Sequence, residues 1–280
     1  MEEFIKVFIL GVVQGITEFL PISSTGHLIV TTTLLDFQTS LEETFEIFIQ
    51  IGSVLAVILF YRKDLLRQVQ TVRTDPGVRR LWLAIIVAAI PAAAVGFLLR
   101  DFIQDVLYSP MVVGVTLILG GIVFLIVDRP KPETADSEAD ENAPQTTQSL
   151  EDISLRQALG VGLAQTLALV PGVSRSGASI VGGLLSGLDR RVATAFSFYL
   201  AIPVLGGATI FDFALRLSDV NPDDLVLLAF GTVVTLIVSL FAIGWLLRYI
   251  ARNTFIVFGY YRIIAGAVIL LLVAAGVIAV

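Results

Sequence analysis

The sequence predicts an all-α polytopic membrane protein made of two halves of inverted topology, each with one re-entrant helical hairpin and three transmembrane helices. Three features carry this prediction: long apolar stretches, an unequal distribution of basic residues, and a short motif that occurs twice. The 280 residues are 56% hydrophobic and only 15% charged, with a mean hydropathy of +0.90, which excludes an ordinary soluble domain. The chain has no cysteine, so disulfides and thiolate catalysis are excluded as well.

Six apolar stretches are long enough to cross a membrane, because a helix needs about 20 residues to span ~30 Å of hydrocarbon. In chain order they are residues 42–61, 81–99, 110–127, 192–214, 225–247 and 255–279. Two further apolar stretches, 4–35 and 155–188, are interrupted by polar residues. We interpret each as a re-entrant hairpin that enters and leaves on one side. The alternative for each is one full crossing plus a half-helix.

Basic residues divide the connecting segments into two sides. If the hairpins are re-entrant, the segments that share one side are 62–80, 128–156, 190–191 and 248–252. This side carries thirteen Lys and Arg residues and the other side only three. Cytoplasmic loops carry the excess of positive charge, so the basic side is predicted to be cytoplasmic and the N-terminus external. Arg175 and Arg262 are left at membrane depth, and we expect Arg262 to extend to the inner interface.

The organisation into halves follows from these spans. Residues 1–127 form the first half and residues 155–280 the second. Each half has three crossings, an odd number, so the second half is inverted relative to the first and the tips of the two hairpins can meet inside the membrane. Residues 128–154, between the halves, are acidic and rich in Pro and Ser. With so little to bury, they are expected to form a disordered cytoplasmic linker.

A motif of proline, serine and glycine interrupts both hairpins. The copies are residues 21–26 (PISSTG) and 171–177 (PGVSRSG), and Ser23 and Ser174 lie 151 residues apart. Proline ends a helix, and a serine just after it can cap the next one. The N–H groups of the new first turn then form a site for an anion. Matching breaks in two halves are typical of a polar site near the membrane midplane.

The side chains around the two motifs are those that phosphoryl transfer needs. Glu18 and Gln14 share one helical face, and a carboxylate at membrane depth indicates a functional site. His27 is the only histidine of the chain. Arg175, in the second motif, has the guanidinium shape that binds phosphate oxygens. Phosphoryl transfer is catalysed mainly by positioning and charge stabilisation, which these groups can supply.

We predict that the catalytic residues are Ser24, His27, Glu18 and Arg175. Ser24 attacks the phosphorus atom of the phosphoryl group that is transferred. His27, oriented or made more basic by Glu18, accepts the proton of the Ser24 hydroxyl. Arg175 stabilises charge on the phosphoryl oxygens. In the alternative mechanism His27 activates a water for direct attack and Ser24 only donates a hydrogen bond. The residues expected to bind the substrate phosphates are Ser23, Thr25, Gly26, Ser174, Ser176 and Gly177.

Residues 14–27 (QGITEFLPISSTGH) resemble the first signature of the BacA/UppP-type undecaprenyl-diphosphate phosphatases, and residues 171–177 resemble the second. The resemblance covers essentially the whole chain in length, spacing and number of spans, apart from the long acidic linker. It implies an enzyme of the cell membrane that hydrolyses undecaprenyl or another polyprenyl diphosphate to the monophosphate. Such an enzyme recycles the lipid carrier for cell-envelope glycan synthesis and confers resistance to bacitracin.

The resemblance also implies a divalent cation, Mg²⁺ or Ca²⁺, and an active site that faces the outside. Glu18 matches the acidic residue of the first signature, and Gln14 occupies a position where the family has Glu or Gln; we expect these two as metal ligands. The expected partners are the lipid substrate and membrane lipids, without nucleic acid, and a homodimer is left open.

A function from another class fits the same architecture. Inverted repeats with broken helices are common in transporters, so the alternative is a lipid-carrier flippase or an anion transporter. The concentration of Ser24, His27 and Arg175 favours an enzyme, because a protein that only binds phosphate does not need a nucleophile beside a base.

Overall fold

The computed structural model describes residues 1–37, 42–128, 146–215 and 225–278. The α-helices of these residues are α1 Glu2–Thr17, α2 Ser24–Leu34, α3 Glu42–Phe60, α4 Arg62–Thr71, α5 Pro76–Leu98, α6 Arg100–Phe102, α7 Pro110–Val127, α8 Leu155–Thr166, α9 Arg175–Leu185, α10 Arg190–Leu215, α11 Leu225–Ile250 and α12 Ile256–Ala274. A π-helical segment, Ile103–Leu107, follows α6. Over the described ranges the β structure is limited to one bridge between Thr147 and Leu188, which confirms the all-α prediction.

The apolar helices lie where the sequence predicts them. Five of them, α5, α7, α10, α11 and α12, are long and apolar enough to cross a membrane. The sixth predicted span coincides with α3, in which Phe48–Phe60 is the apolar part. Helix α5 begins five residues before the predicted span, at Pro76, because Asp75 accepts hydrogen bonds from the N–H groups of Gly77 and Val78, and α12 ends five residues before its predicted end, at Ala274. The chain is therefore a multi-pass membrane protein.

Each interrupted stretch forms two helices separated by a break. The first stretch consists of α1 and α2, which pack against each other, and the second of α8 and α9, which do the same. Ser23 (φ 71°) and Ser174 (φ 73°) are the N-caps of α2 and α9. A positive φ is uncommon for a residue other than glycine. The same backbone conformation thus recurs at both serines, 151 residues apart.

The first helix of each interrupted stretch packs on a helix that is distant in the chain. Helix α1 packs on α11, and α8 packs on α5. In the first of these contacts Thr235 donates a hydrogen bond to the Gly11 carbonyl (3.2 Å) and Ser239 one to the Gly15 carbonyl (3.4 Å). Small residues allow such close packing of helices in membranes. Helices α7 and α12 also pack together, as do α3 and α10, so the halves are interlocked.

Most of the predicted linker, residues 129–145, lies outside the described residues. Both described ends of the linker belong to the folded part of the chain. Asp128 is buried, and its carboxylate accepts hydrogen bonds from Arg190 Nε and the Phe255 N–H, both at 2.6 Å. At the other end Ser154 forms a capping box with Gln157 at the start of α8.

Candidate active site

The two helix breaks meet inside the helical bundle. We call residues 18–23 the first tip and residues 170–174 the second tip. Ser176, in the first turn after the second tip, donates a hydrogen bond to the Leu20 carbonyl of the first tip at 3.0 Å. Arg175 Nη2 lies 3.0 Å from Glu18 Oε1. The meeting of the tips that the sequence led us to expect is present in the structure.

Arg262, on α12, binds the backbone of both tips. Its guanidinium donates hydrogen bonds to the Pro21 carbonyl of the first tip and to the Gly172 and Val173 carbonyls of the second, each at 3.0 Å. Two further carbonyls, of Thr116 and Leu117 on α7, lie at 3.4 Å. Arg262 is fully buried, so the prediction that it extends to the membrane interface is wrong.

Two glycines make room for this arrangement. Gly172 has φ +88° and sits against Thr116 and Val113 of α7, so any side chain there would overlap them. Thr116 Oγ1 also donates a hydrogen bond to the Pro171 carbonyl at 2.6 Å. Gly120, one turn further along α7, faces the guanidinium of Arg262, which a β-carbon would displace. Helix α7 thereby packs directly against the backbone of the second tip.

Glu18 is the centre of the polar contacts between the tips. Its Oε1 binds Arg175, and its Oε2 accepts a hydrogen bond from Ser24 Oγ at 2.8 Å and one from Gln14 Nε2 at 3.2 Å. The side chains of Glu18 and Arg175 are only 7% and 13% exposed. A buried ion pair is tolerable when further hydrogen bonds satisfy both partners. Arg175 Nη1 donates such a hydrogen bond to the Ser197 carbonyl of α10 at 2.9 Å, whereas its Nε is buried without a partner among the described residues.

The hydroxyl of Ser24 and the ring of His27 are hydrogen-bonded to other groups rather than to each other. Its Nδ1 lies 2.7 Å from the Ser23 carbonyl, and its Nε2 lies 2.6 Å from the hydroxyl of Tyr261 on α12. Both ring nitrogens therefore have partners, and the hydroxyl of Ser24 is bonded to Glu18 instead. The expected hydrogen bond from Ser24 to His27 is replaced because the side chain of Glu18 turns towards Ser24 at the start of α2.

The residues expected to bind phosphate divide into two groups. Ser23 and Ser174 are buried caps that accept hydrogen bonds from the N–H groups of Gly26 and Gly177. Ser176 is fully buried and bonded to Ser174 and Leu20. Thr25, like Ser24 and His27, is half-buried. The open side of the site is thus formed by the first turn of α2, where the early N–H groups have no intrahelical acceptor.

Sequence reasoning missed three contributions to the site. Tyr261 and Ser197 hold His27 and Arg175, and Arg262 joins the tips. Two of these contacts bridge distant parts of the chain: His27 and Tyr261 are 234 residues apart, and Pro21 and Arg262 are 241 apart. The one local signal was Arg262 itself, since a charge at membrane depth that lacks a nearby carboxylate requires another partner.

Fold and site together define an integral membrane protein with a buried polar site at the breaks between α1 and α2 and between α8 and α9. The chain belongs to the BacA family: the family model of the bacitracin resistance protein BacA matches residues 7–268. An undecaprenyl-diphosphatase of Deinococcus radiodurans is 44% identical over 279 residues, covering 99% of this chain and 97% of the relative. Undecaprenyl-diphosphatases of Cupriavidus necator (42% identical, 98% of this chain and 97% of the relative) and Parvibaculum lavamentivorans (44%, 96% of each) are similar to it as well.

Replacing Arg262 tests whether its guanidinium holds the tips. We expect Arg262→Met to destabilise the protein by about 3 kcal/mol, because the tip carbonyls lose their donors. For a chain of this size that lowers the Tm by about 10 °C, measured by thermal unfolding in detergent. The control is Arg248→Met, which removes an exposed arginine from α11. Equal Tm values for the two variants would contradict the role of Arg262.

Proposed function

We propose that this protein is a membrane undecaprenyl-diphosphatase, which hydrolyses undecaprenyl diphosphate to the monophosphate and inorganic phosphate. One observation carries the proposal: Glu18 binds the hydroxyl of Ser24 with one oxygen and the guanidinium of Arg175 with the other. A nucleophile, a base and a phosphate-binding cation are thus in contact. The names of relatives that share more than 40% identity over nearly the full length agree with this chemistry. The product is the lipid carrier of envelope glycan synthesis, and its recycling accounts for bacitracin resistance.

The first step uses the contact between Ser24 and Glu18. Ser24 Oγ attacks the terminal phosphorus and its proton passes to Glu18 Oε2, with which it already shares a 2.8 Å hydrogen bond. The bond from phosphorus to the bridging oxygen breaks, and the lipid monophosphate leaves. Arg175, released from Glu18 as that carboxylate takes up the proton, stabilises the charge on the phosphoryl oxygens. The N–H groups at the start of α2 add a fixed positive potential.

The second step hydrolyses the phosphoserine with water. Among the groups on the open side, His27 can take the proton of this water, because residues 24 and 27 lie on one face of α2. In the alternative mechanism His27 activates a water for direct attack on the diphosphate, and the same imidazole nitrogen of His27 accepts the proton of that water. In both mechanisms His27 acts on water rather than on Ser24.

A divalent cation fits the oxygens beside Glu18. In the described part of the chain no three His, Cys, Asp or Glu side chains group around one metal position. Mg²⁺, however, is commonly held by one or two carboxylates together with substrate phosphates. Gln14 Oε1 is buried without a hydrogen-bond partner next to Glu18. Gln14 and Glu18 would hold Mg²⁺ or Ca²⁺, which when bound neutralises charge on the diphosphate.

We further propose the topology that the sequence predicts, with two inverted repeats and re-entrant hairpins. The recurrent serine conformation at both breaks and the crossed packing of α1 on α11 and α8 on α5 support it. The basic side then faces the cytoplasm, and the open side of the site faces outwards. The transporter alternative is not adopted, because phosphate binding alone gives no role to a serine hydroxyl bonded to a buried carboxylate.

Ser24→Ala tests the nucleophile. Phosphate release from undecaprenyl diphosphate in detergent is expected to fall about a thousandfold or more, since the covalent route is lost. Wild-type protein quenched in acid during turnover is expected to carry phosphate on Ser24, detected by mass spectrometry. The control, Ser109→Ala, removes a capping hydroxyl of α7 away from the tips and keeps the wild-type rate. A loss of only about tenfold without phosphoserine would instead establish direct attack by water.

Changes at Gln14 test the metal site. Gln14→Glu adds a second carboxylate next to Glu18, so less Mg²⁺ is needed for half-maximal phosphate release after EDTA treatment, by about tenfold. Gln14→Leu removes the amide oxygen, so more Mg²⁺ is needed for half-maximal phosphate release. Gln148→Glu, at an exposed position, serves as the control. If all three variants show the wild-type Mg²⁺ dependence, Gln14 is not a ligand.

A further inference from the structure

We infer that Tyr261 is a positioning residue for His27: its hydroxyl keeps the Nε2 nitrogen of His27 unprotonated and directed at the open side of the site, where it accepts the proton of the attacking water. The inference rests on the proposed phosphatase function and assigns a role to a residue outside both motifs. Nothing in either motif points to α12, so this partner becomes visible only in the folded chain.

The hydrogen bonds around His27 determine its tautomer. The Ser23 carbonyl can only accept a hydrogen bond, so Nδ1, at 2.7 Å from it, carries the proton. In the neutral imidazole the lone pair is then on Nε2. The hydroxyl of Tyr261, 2.6 Å away, donates its proton to this lone pair. The planes of the two rings differ by only 7°, with centroids 5.6 Å apart, so contact between the rings adds to the hydrogen bond.

The position of Tyr261 is set by its neighbour in the chain. Arg262 is fully buried and bonded to both tips, which fixes α12 against the site. The next residue back along the helix, Tyr261, is 43% exposed and therefore lies at the rim. Its hydroxyl lies within hydrogen-bond distance of His27 Nε2. Tyr260, 58% exposed on the same turn, makes no such contact and provides a matched control.

The proposed role fits a balanced second step. The water oxygen forms a bond to phosphorus, the bond from phosphorus to Ser24 Oγ breaks, and the water proton moves to Nε2 of His27. Ser24 recovers its proton from Glu18. His27 then returns the extra proton to solvent from Nε2, past the hydroxyl of Tyr261. Until the water arrives, this hydroxyl occupies the place of the water and holds the ring in the basic tautomer.

Tyr261→Phe keeps the ring and removes only the hydroxyl. In steady-state phosphate release we expect its kcat to fall by about three- to tenfold, the worth of one hydrogen bond, with KM unchanged because Tyr261 does not hold the substrate. Tyr260→Phe keeps both wild-type constants. The Tm of each variant in detergent verifies that the fold is intact.

The single histidine allows a direct spectroscopic test. In the NMR spectrum of protein labelled with ¹⁵N-histidine, the imidazole nitrogen resonances come from His27 alone, because the chain has one histidine. In the neutral ring we expect a protonated Nδ1 and an unprotonated Nε2, and the Nε2 resonance moves in Tyr261→Phe but not in Tyr260→Phe. A neutral ring protonated on Nε2, or a Tyr261→Phe variant with the wild-type kcat, overturns the inference and leaves the phosphatase intact. A wild-type protein that releases no phosphate overturns the proposed function itself.

Discussion

The site depends on one buried cation, Arg262, and on the carbonyls that satisfy it. Burying a charge is costly unless it is fully hydrogen-bonded, and no carboxylate is bonded to Arg262 in the described part of the chain. A broken helix in a membrane has the opposite problem, because its freed carbonyls find no water. Arg262 donates hydrogen bonds to the carbonyls of both tips, so the buried guanidinium and the freed carbonyls satisfy each other. The position of one tip relative to the other, and with it the contact of Glu18 with Arg175, follows from this arrangement.

The two halves share a backbone design but not a chemistry. Ser23 and Ser174 adopt the same conformation and cap the helices that follow in the same way. The residues after them differ: Ser24 follows the first cap and Arg175 the second. One break therefore supplies the nucleophile and the other the cation, and a working site needs both. Such a division is physically reasonable because Arg175 can pair with Glu18, the carboxylate beside the first break, whereas two arginines at the same buried place would repel each other.

The sequence was sufficient for features that depend on local patterns. Span positions follow from apolar length, and the breaks follow from proline and serine. The pattern also places a carboxylate, Glu18, beside the first break and a cation, Arg175, in the second. The partner of His27 was not predictable, because Tyr261 lies on α12, 234 residues away. The hydrogen bond from Ser24 to Glu18 depends on the exact path of the backbone between the two residues, which the sequence pattern does not specify. The error at Arg262 has a similar cause: only the folded chain shows that Gly120 of α7 leaves room for a guanidinium inside.

The central claim, that the two tips act as one site through Glu18 and Arg175, is tested most directly by a double-mutant cycle on phosphate release. Glu18→Asp and Arg175→Lys keep both charges but break the 3.0 Å contact between them. Because both changes disrupt the same interaction, the double variant is expected to be slowed by clearly less than the product of the two single losses. If the two losses multiply instead, the tips contribute independently and the account is contradicted.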